Sequence, residues 1–349
     1  MNSDSKMRHK LDENRVFIIP IIIFLTLALL VLSIVAICCG HYSIDPITCL
    51  KILCLSPFDI PRSWSGLDES VIFGLRIPRI LAAILVGFAL SISGAVYQST
   101  FQNPLVSPDI LGVSSGACVG AAVGILLHLS SIYIMILAFS CAIITVSLTV
   151  LIPKLLKSSS NIMLVLSGIL MGGLASSILG IITYIADPAS ELPQIIYWTM
   201  GSLEGIPIST LLYVSVPIII TIILLIRMSW WIDILSLGEK DAQTLGANVG
   251  KIRIITIVCS TLLTALTVCM CGTIAWVGLV VPHFARMIIG PNNTRLLPTA
   301  AIMGAIFLVI VDTIARSLTV TEVPIGIITG LIGAPFYVWL LYSQKNNLN

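Results

Sequence analysis

The stretch ILGVSSGACVGAAVGILLHLSSIYIMILAFSCAIITVSLTVLIP, residues 110–153, decides the fold class, because its 44 residues include no Asp, Glu, Lys or Arg. A helix needs about 20 apolar residues to cross the hydrocarbon core of a membrane. The stretch is therefore too long for one crossing and fits two crossings joined by a tight turn at residues 128–131. This pattern predicts a protein built from closely spaced membrane helices.

Composition extends this prediction to the whole chain. Hydrophobic residues make up 57% of the 349 residues and charged residues only 10%, whereas soluble domains carry about 25% charged residues. Lipid is therefore expected to be the solvent for much of the surface.

The net charge of +2 and the lack of a basic stripe argue against nucleic-acid binding. The nine cysteines have no histidine at ligand spacing, so neither a metal site nor a cofactor is expected. A Cys49–Cys54 disulfide in an external loop is left open.

Other largely uncharged segments raise the predicted number of membrane helices to ten. They lie at residues 16–39, 80–108, 161–186, 206–226, 254–289, 296–316 and 323–342, with 254–289 divided in two at residues 271–273. We therefore predict an all-α, polytopic membrane helix bundle over residues 16–342, with short tails at 1–15 and 343–349. In this arrangement 13 of the 18 Lys and Arg residues fall on the side of the N-terminus. Cytoplasmic loops carry an excess of Lys and Arg, so both tails are expected in the cytoplasm and the bundle in the cell (inner) membrane.

Glycines at four-residue spacing predict how the helices pack. They are Gly116, Gly120 and Gly124, Gly168 and Gly172, and Gly326 and Gly330. Small residues on one ridge of a membrane helix let the backbone of a neighbouring helix approach closely. The spacing indicates a compact bundle and carries no information about a substrate.

Two arginines flank a proline at the predicted outer entrance of the second span, in Arg76-Ile77-Pro78-Arg79. Arg316 lies at the outer end of the ninth span and could join them. One interpretation is that these long side chains snorkel to the membrane surface. The other is a cationic docking surface for an acidic partner. Asp312 lies one helical turn before Arg316, which favours a local ion pair over a proton or sodium relay.

The longest predicted cytoplasmic loop, residues 229–253, contains a candidate coupling helix. It is bounded by glycines and carries acidic residues in its first turn, where they complement the helix dipole. The candidate contact residues are Leu237, Gly238, Glu239, Ala242, Leu245 and Gly246. This element is either a solvated linker or a peg that fits a soluble partner.

A second candidate site lies between the second and third spans, in Asn103-Pro104-Leu105 and Ser107-Pro108-Asp109. Two prolines and an asparagine break a helix at membrane depth. Non-helical backbone is tolerated there only where protein buries it or water lines it. The segment is therefore a candidate for the transport pathway or its gate.

Several chemistries are missing from the sequence. There is no G-x-x-x-x-G-K-[ST] phosphate loop, so the chain is not expected to bind ATP in that mode. There is no Ser-His-Asp or H-E-x-x-H constellation, and no series of intramembrane carboxylates. We therefore expect a protein that is not itself an enzyme.

Four stretches of the chain carry a resemblance to a known family. They are residues 75–82 (LRIPRILA); residues 93–98 (SGAVYQ) through Asn103-Pro104-Leu105 to residues 111–117 (LGVSSGA); residues 278–283 (GLVVPH) with Ala285-Arg286; and residues 324–326 (PIG) with residues 333–336 (GAPF). Residues 237–246 add a weaker match. Together they resemble the binding-protein-dependent permeases for iron-siderophores, haem and cobalamin, the FecCD type, over residues 70–342. Residues 292–295, Asn-Asn-Thr-Arg, depart from the Asp-His pair that this family usually has before the arginine.

The resemblance implies a permease subunit of an ATP-driven importer, with ten helices per chain. It implies a homodimer or a pair of related permeases, two cytoplasmic ABC ATPase subunits on the loop 229–253, and an extracytoplasmic substrate-binding protein on Arg76, Arg79 and Arg316. It also implies that Asn103 and Leu105 lie near the cytoplasmic gate and that the fifth and tenth spans line the passage. The compound carried, and homodimer versus heterodimer, stay open. The alternatives are an ATP-coupled permease for small metal ions such as zinc or manganese, and a secondary transporter.

Overall fold

The computed structural model describes residues 3–40, 42–56, 64–157, 160–319 and 321–346, and the chain forms helices without any strand over these residues. The helices are α1 (Ser3–Cys38), α2 (Pro46–Leu55), α3 (Gly66–Val71), α4 (Ile77–Thr100), α5 (Val113–Leu126), α6 (Ser131–Leu155), α7 (Asn161–Ile185), α8 (Glu191–Met200), α9 (Ile208–Arg227), α10 (Ser229–Ser236), α11 (Glu239–Thr244), α12 (Val249–Cys271), α13 (Val277–Ile289), α14 (Asn293–Leu318) and α15 (Ile325–Asn346). A π-helical turn, Ile72–Arg76, leads into α4, and a 3-10 turn, Pro108–Leu111, precedes α5.

Among the described residues, seven helices are long and apolar enough to cross a membrane. They are Ile19–Cys38, Gly66–Thr100, Ser131–Leu155, Asn161–Ile185, Ile208–Arg227, Val249–Cys271 and Asn293–Leu318. Shorter apolar helices lie at Pro46–Leu55, Val113–Leu126, Val277–Ile289 and Ile325–Trp339. The prediction of an all-helical membrane protein is confirmed, whereas the count of ten spans stays a prediction.

The two predicted interruptions of the long apolar stretches are present. α5 ends at Leu126 and α6 begins at Ser131, on either side of the predicted tight turn. α12 ends at Cys271 and α13 begins at Val277. Gly272 begins that second break with φ +70°. Each uncharged stretch is therefore divided into two separate helices, as its length required.

α4 occupies the centre of the bundle. Every side chain from residue 89 to residue 100 is buried. It packs against α12, α13 and α14, and its residues form much of the largest apolar core. The end of α4 therefore lies where several helices meet, directly before the predicted gate segment.

Glycines allow these helices to touch through their backbones. A Cβ on Gly94 in α4 would overlap the carbonyl oxygen of Gly278 in α13. In α5, a Cβ on Gly120 would overlap the carbonyl oxygen of Leu137 in α6. The close packing that the glycine spacing predicts is confirmed where α5 meets α6.

We expect Gly94→Ala to destabilise the bundle, whereas Gly180→Ala should not. The new methyl group at position 94 would have to push α13 away, and overpacking of this kind costs about 1–3 kcal/mol. Gly180 also lies inside a membrane helix, α7, but nothing lies within 4 Å of its would-be Cβ. The melting temperature of each detergent-purified variant measures the difference. Equal melting temperatures would contradict the backbone contact.

Candidate coupling and gating site

α10, α11 and the beginning of α12 form a small folded unit, which we call the coupling module. Its apolar core consists of Ile234, Leu235, Ala242, Ala247, Val249 and Ile252. α11 is enclosed by Gly238 (φ +110°) and Gly246 (φ +81°), which hold backbone conformations that favour glycine. The predicted short helix bounded by glycines is confirmed. Because one core joins α10 to α11, a force on α11 acts on α10 as well.

The predicted contact residues of the coupling module do not all face outward. Leu237 and Leu245 are 59% and 58% exposed, but Ala242 is completely buried in the module's own core. The prediction of Ala242 as a contact residue is therefore corrected, because its methyl group cannot reach a partner. Glu239 forms an ion pair with Arg253 at the beginning of α12. Of the predicted contact residues, Leu237 and Leu245 remain as exposed apolar surface, and Trp230 and Trp231 in α10 add to it, at 58% and 39% exposed.

The last turn of α4 is held by polar side chains from other helices. Gln98 Oε1 accepts a hydrogen bond of 2.9 Å from Arg286 Nη1 in α13, and Gln98 Nε2 donates one of 3.2 Å to the carbonyl of Leu279. Thr100 Oγ1 lies 3.3 Å from Thr256 Oγ1 in α12. These contacts fix the end of α4 against both neighbours.

A second set of contacts ties α4 to α14 and α10. Ser99 Oγ donates to Asn293 Oδ1 in α14 over 2.9 Å. Asn293 in turn donates through its backbone N–H and its Nδ2 to Asp233 Oδ1 in α10, over 2.7 and 2.8 Å. Gln102 Nε2 donates to the carbonyl of Leu235 over 3.1 Å. No role for these residues was predicted from the sequence, and the only signal at this place was the departure from the family pattern at residues 292–295.

The predicted gate segment follows this turn. The backbone N–H of Asn103 donates to the carbonyl of Gln98 over 3.0 Å, and Asn103 Oδ1 accepts from the N–H of Leu105 over 2.9 Å. Asn103 is exposed and Leu105 is half-buried. Further on, buried Pro108 packs against Gly278. The helix break is confirmed and protein contacts satisfy its backbone, while the role of Asn103 and Leu105 in gating stays a prediction.

Arg76 and Arg316 cap the C-terminal end of α1. Each side chain is only 5% exposed. Arg76 Nη1 donates to the carbonyl of Ile37 over 2.6 Å, and Arg316 Nη1 donates to the carbonyl of Cys39 over 2.9 Å. The last carbonyl groups of a helix have no partner within the helix. The two guanidinium groups supply the missing donors.

Arg79 completes a buried ion network at the same end of the bundle. Its Nε lies 2.7 Å from Asp312 Oδ1, and its Nη1 lies 2.6 Å from Glu322 Oε2. Arg316 Nε lies 3.4 Å from Asp312 Oδ2. The predicted local ion pair is therefore present, but it is longer than the ion pair between Asp312 and Arg79. Asp312 itself is 1% exposed.

The predicted outer cationic surface is corrected in one respect. The structure brings Arg76, Arg79 and Arg316 together, but their charges point into the protein because α1 and two carboxylates bind them. The side chains of Arg76 and Arg316 do not reach toward the membrane surface either, because both are buried. Their contact with a binding protein stays a prediction.

Cys49 and Cys54 are both free thiols in the structure. Cys49 is fully buried in a small apolar cluster with Ile44, Ile52 and Ile72. Cys54 is exposed. The disulfide that the sequence left open is not formed.

Comparison with known proteins identifies the family. Residues 26–343 match the FecCD transport family. The chain belongs to this family. FecCD membership confirms the resemblance that the four sequence stretches carried, and it makes the chain a transport permease component.

Curated relatives of this FecCD chain differ in the compound for which they are named. The molybdate import system permease MolB of Haemophilus influenzae is 37% identical over 93% of this chain and 96% of its own length. A probable iron chelatin permease of Helicobacter pylori is 39% identical over 79% of this chain and 83% of its own. The hemin permease HmuU of Yersinia pestis is 38% identical over 78% of this chain and 83% of its own.

A solved structure agrees with the fold of this FecCD chain. It is described as a metal-chelate type ABC transporter in an inward-facing conformation, and it superimposes with a TM-score of 0.83 at 36% sequence identity. The superposition covers 93% of this chain and 99% of that chain. The helical arrangement described above is therefore that of an ABC importer permease.

Proposed function

We propose that this chain is the membrane permease subunit of a binding-protein-dependent ABC importer that carries an iron-siderophore, haem or cobalamin-type compound. The observation that carries the proposal is the coupling module, which presents Leu237 and Leu245 outward and accepts a hydrogen bond from Gln102, between the end of α4 and the gate segment. Such an arrangement suits a chain that receives force from separate ATPases. The chain contributes gating, with no bond chemistry of its own.

The cargo of the importer has a second candidate. MolB, which is similar over 93% of this chain, is named for molybdate, so a compact oxyanion is the alternative to a large chelate. Proteoliposomes that contain the assembled importer and its binding protein can be offered a ferric siderophore, hemin, cobalamin or molybdate. ATP-dependent uptake of the ferric siderophore, hemin or cobalamin supports the main proposal. Uptake of molybdate alone would replace it, and uptake of none would contradict both.

We also propose ten membrane spans with both termini in the cytoplasm. The count is reached if the shorter apolar helices Val113–Leu126, Val277–Ile289 and Ile325–Trp339 cross with the seven long ones. α5 and α13 are short because irregular segments, 101–112 and 272–276, precede them, and buried residues in these segments, among them Val106, Leu111 and Ile274, hold them against the bundle, where irregular backbone is tolerated.

Reporter fusions test this topology. A reporter after Ser160 or Lys251 should report the cytoplasm, and one after Ser190 should report the exterior. The expectation follows from the excess of Lys and Arg on the N-terminal side. A cytoplasmic signal from the Ser190 fusion would contradict the ten-span arrangement.

A second permease subunit is the proposed occupant of the apolar faces of α7 and α15. Ile162, Ile169 and Leu331 are largely exposed on these helices, which correspond to the predicted fifth and tenth spans. A homodimer would place two such faces around one passage. Cross-linking of the Ile169→Cys variant in native membranes should give a covalent dimer.

The proposed assembly also includes an extracytoplasmic binding protein. Docking through Arg76, Arg79 and Arg316 would require the end of α1 to release at least two of these side chains. The association rate of the binding protein with the reconstituted permease, measured at low and at high salt, tests whether exposed charges steer the encounter.

A further inference from the structure

Asn293, the first residue of α14, joins two elements that the sequence treats as separate. Its amide nitrogen and backbone N–H both donate to Asp233 Oδ1 in the coupling module, and its amide oxygen accepts from Ser99 Oγ in α4. The Asn293 side chain is 1% exposed. A continuous line of hydrogen bonds therefore runs from α10 through the start of α14 to the last turn of α4.

A second link runs beside the first. Gln102 Nε2 donates to the carbonyl of Leu235 in α10, and Leu235 is itself buried. Gln102 immediately precedes Asn103, where the predicted gate segment begins. α10 is therefore connected to the chain before the predicted gate segment at two residues, Ser99 (through Asn293) and Gln102.

The contacts to Asp233 are the stronger of these links. A hydrogen bond to a charged group contributes more than one between neutral groups, and removing one partner leaves the other buried and unsatisfied. Asp233 is half-buried, so its carboxylate relies on Asn293 for two donors. Because α10 shares a core with α11, a displacement of α11 must either move residues 99–103 or break these bonds.

We propose that Asn293 is a positioning residue for transport, which transmits displacement of the coupling module to the segment Asn103–Leu105. The proposal rests on the proposed function, because it requires ATPases that move α11. Asn293 touches neither nucleotide nor cargo. It acts through Asp233 on one side and Ser99 on the other.

Charge placement offers a direct test. Asn293→Asp places a second carboxylate next to that of Asp233, and the side chain at position 293 can no longer donate a hydrogen bond. Asp233→Asn combined with Asn293→Asp exchanges the two groups, so that the new amide at 233 donates to the new carboxylate at 293 while Ser99 still donates to position 293. Asn292→Asp is the matched control, because it adds the same charge at the neighbouring, exposed position.

Movement of the gate is read without reference to cargo. Leu105→Cys is introduced into each variant, and the permease–ATPase complex is treated with a membrane-impermeant maleimide with and without ATP and vanadate. Mass spectrometry of the peptide that contains residue 105 gives the labelling rate at that position, so the native cysteines remain in place. ATP hydrolysis and co-purification of the ATPase are measured on the same samples.

In the wild type and the Asn292→Asp control, we expect ATP to change the labelling rate at residue 105. In Asn293→Asp, the ATP-dependent change in labelling rate should be largely lost, because the loss of one hydrogen bond to a charged group shifts an equilibrium by about tenfold or more, while the ATPase still binds and hydrolyses ATP. The exchanged pair should recover the wild-type response.

An undiminished response in Asn293→Asp, or no recovery in the exchanged pair, would overturn the role of Asn293. If Asn293→Asp does not assemble, Ser99→Ala removes the hydrogen bond between Asn293 and α4 without adding a charge, and it should also weaken the response at residue 105; an unchanged response in that variant overturns the proposal. If the wild-type chain neither binds an ATPase nor responds to ATP, the proposed function fails instead, and the two failures are distinguished.

Discussion

Replacement of both Leu237 and Leu245 by arginine is expected to abolish ATP-driven uptake while the chain still inserts and folds. These two side chains are 59% and 58% exposed on the coupling module and make no contribution to its buried core. Central apolar contacts in protein interfaces contribute about 2 kcal/mol or more each. Two buried arginines without partners would therefore weaken ATPase binding by at least about a thousandfold.

The measurement is co-purification of the ATPase with detergent-solubilised permease, followed by uptake into proteoliposomes. Leu67→Arg is the matched control, because Leu67 is also 58% exposed but lies in α3 at the opposite end of the bundle. That variant should bind ATPase as the wild type does. Full transport by the Leu237→Arg, Leu245→Arg chain would show that the module is a solvated linker.

Arg79→Leu is expected to cause the largest loss of stability among single substitutions in the network of Arg76, Arg79, Asp312 and Arg316. The substitution removes the shorter ion pair of Asp312, a carboxylate that is 1% exposed, and leaves it with the 3.4 Å pair to Arg316. Breaking a buried ion pair by removing one partner costs about 3–5 kcal/mol. The melting temperature in detergent should therefore fall strongly.

A second substitution separates the charge effect from loss of packing. Asp312→Asn in the Arg79→Leu background removes the uncompensated charge, so part of the lost melting temperature should return. Lys51→Leu, at an exposed site in α2, controls for the loss of one positive charge and should have little effect. If Arg79→Leu melts at the wild-type temperature, the network contributes nothing and the docking interpretation of Arg79 gains support.

Local pattern was enough to predict much of the fold. The uncharged stretch 110–153 had to be divided, because a single membrane helix cannot use 44 residues. The glycines at 238 and 246 marked the ends of α11, because the backbone there needs a positive φ. Both signals are properties of a few neighbouring residues, and the structure confirms both.

Contacts between distant residues could not be predicted in this way. The pair Asp312–Arg316 is visible as a four-residue spacing, whereas Arg79 and Asp312 are 233 residues apart and meet only because α4 packs on α14. Likewise, the sequence placed Ala242 among the candidate contact residues but could not show that this methyl group points into the module. The contacts of Asn293 could not be predicted from the sequence either, because they join three helices, α4, α10 and α14.

The glycine contacts described above also determine which parts of the molecule can move. Gly94 touches Gly278, and Gly87 touches Gly304, so α4 is in backbone contact with both α13 and α14. These contacts bring the helices close, and the atoms nearest to a would-be Cβ on Gly304 are Ser91 Oγ and the carbonyl oxygen of Gly87. We therefore expect the three helices to travel together, so that any alternation between inward and outward openings occurs at their borders.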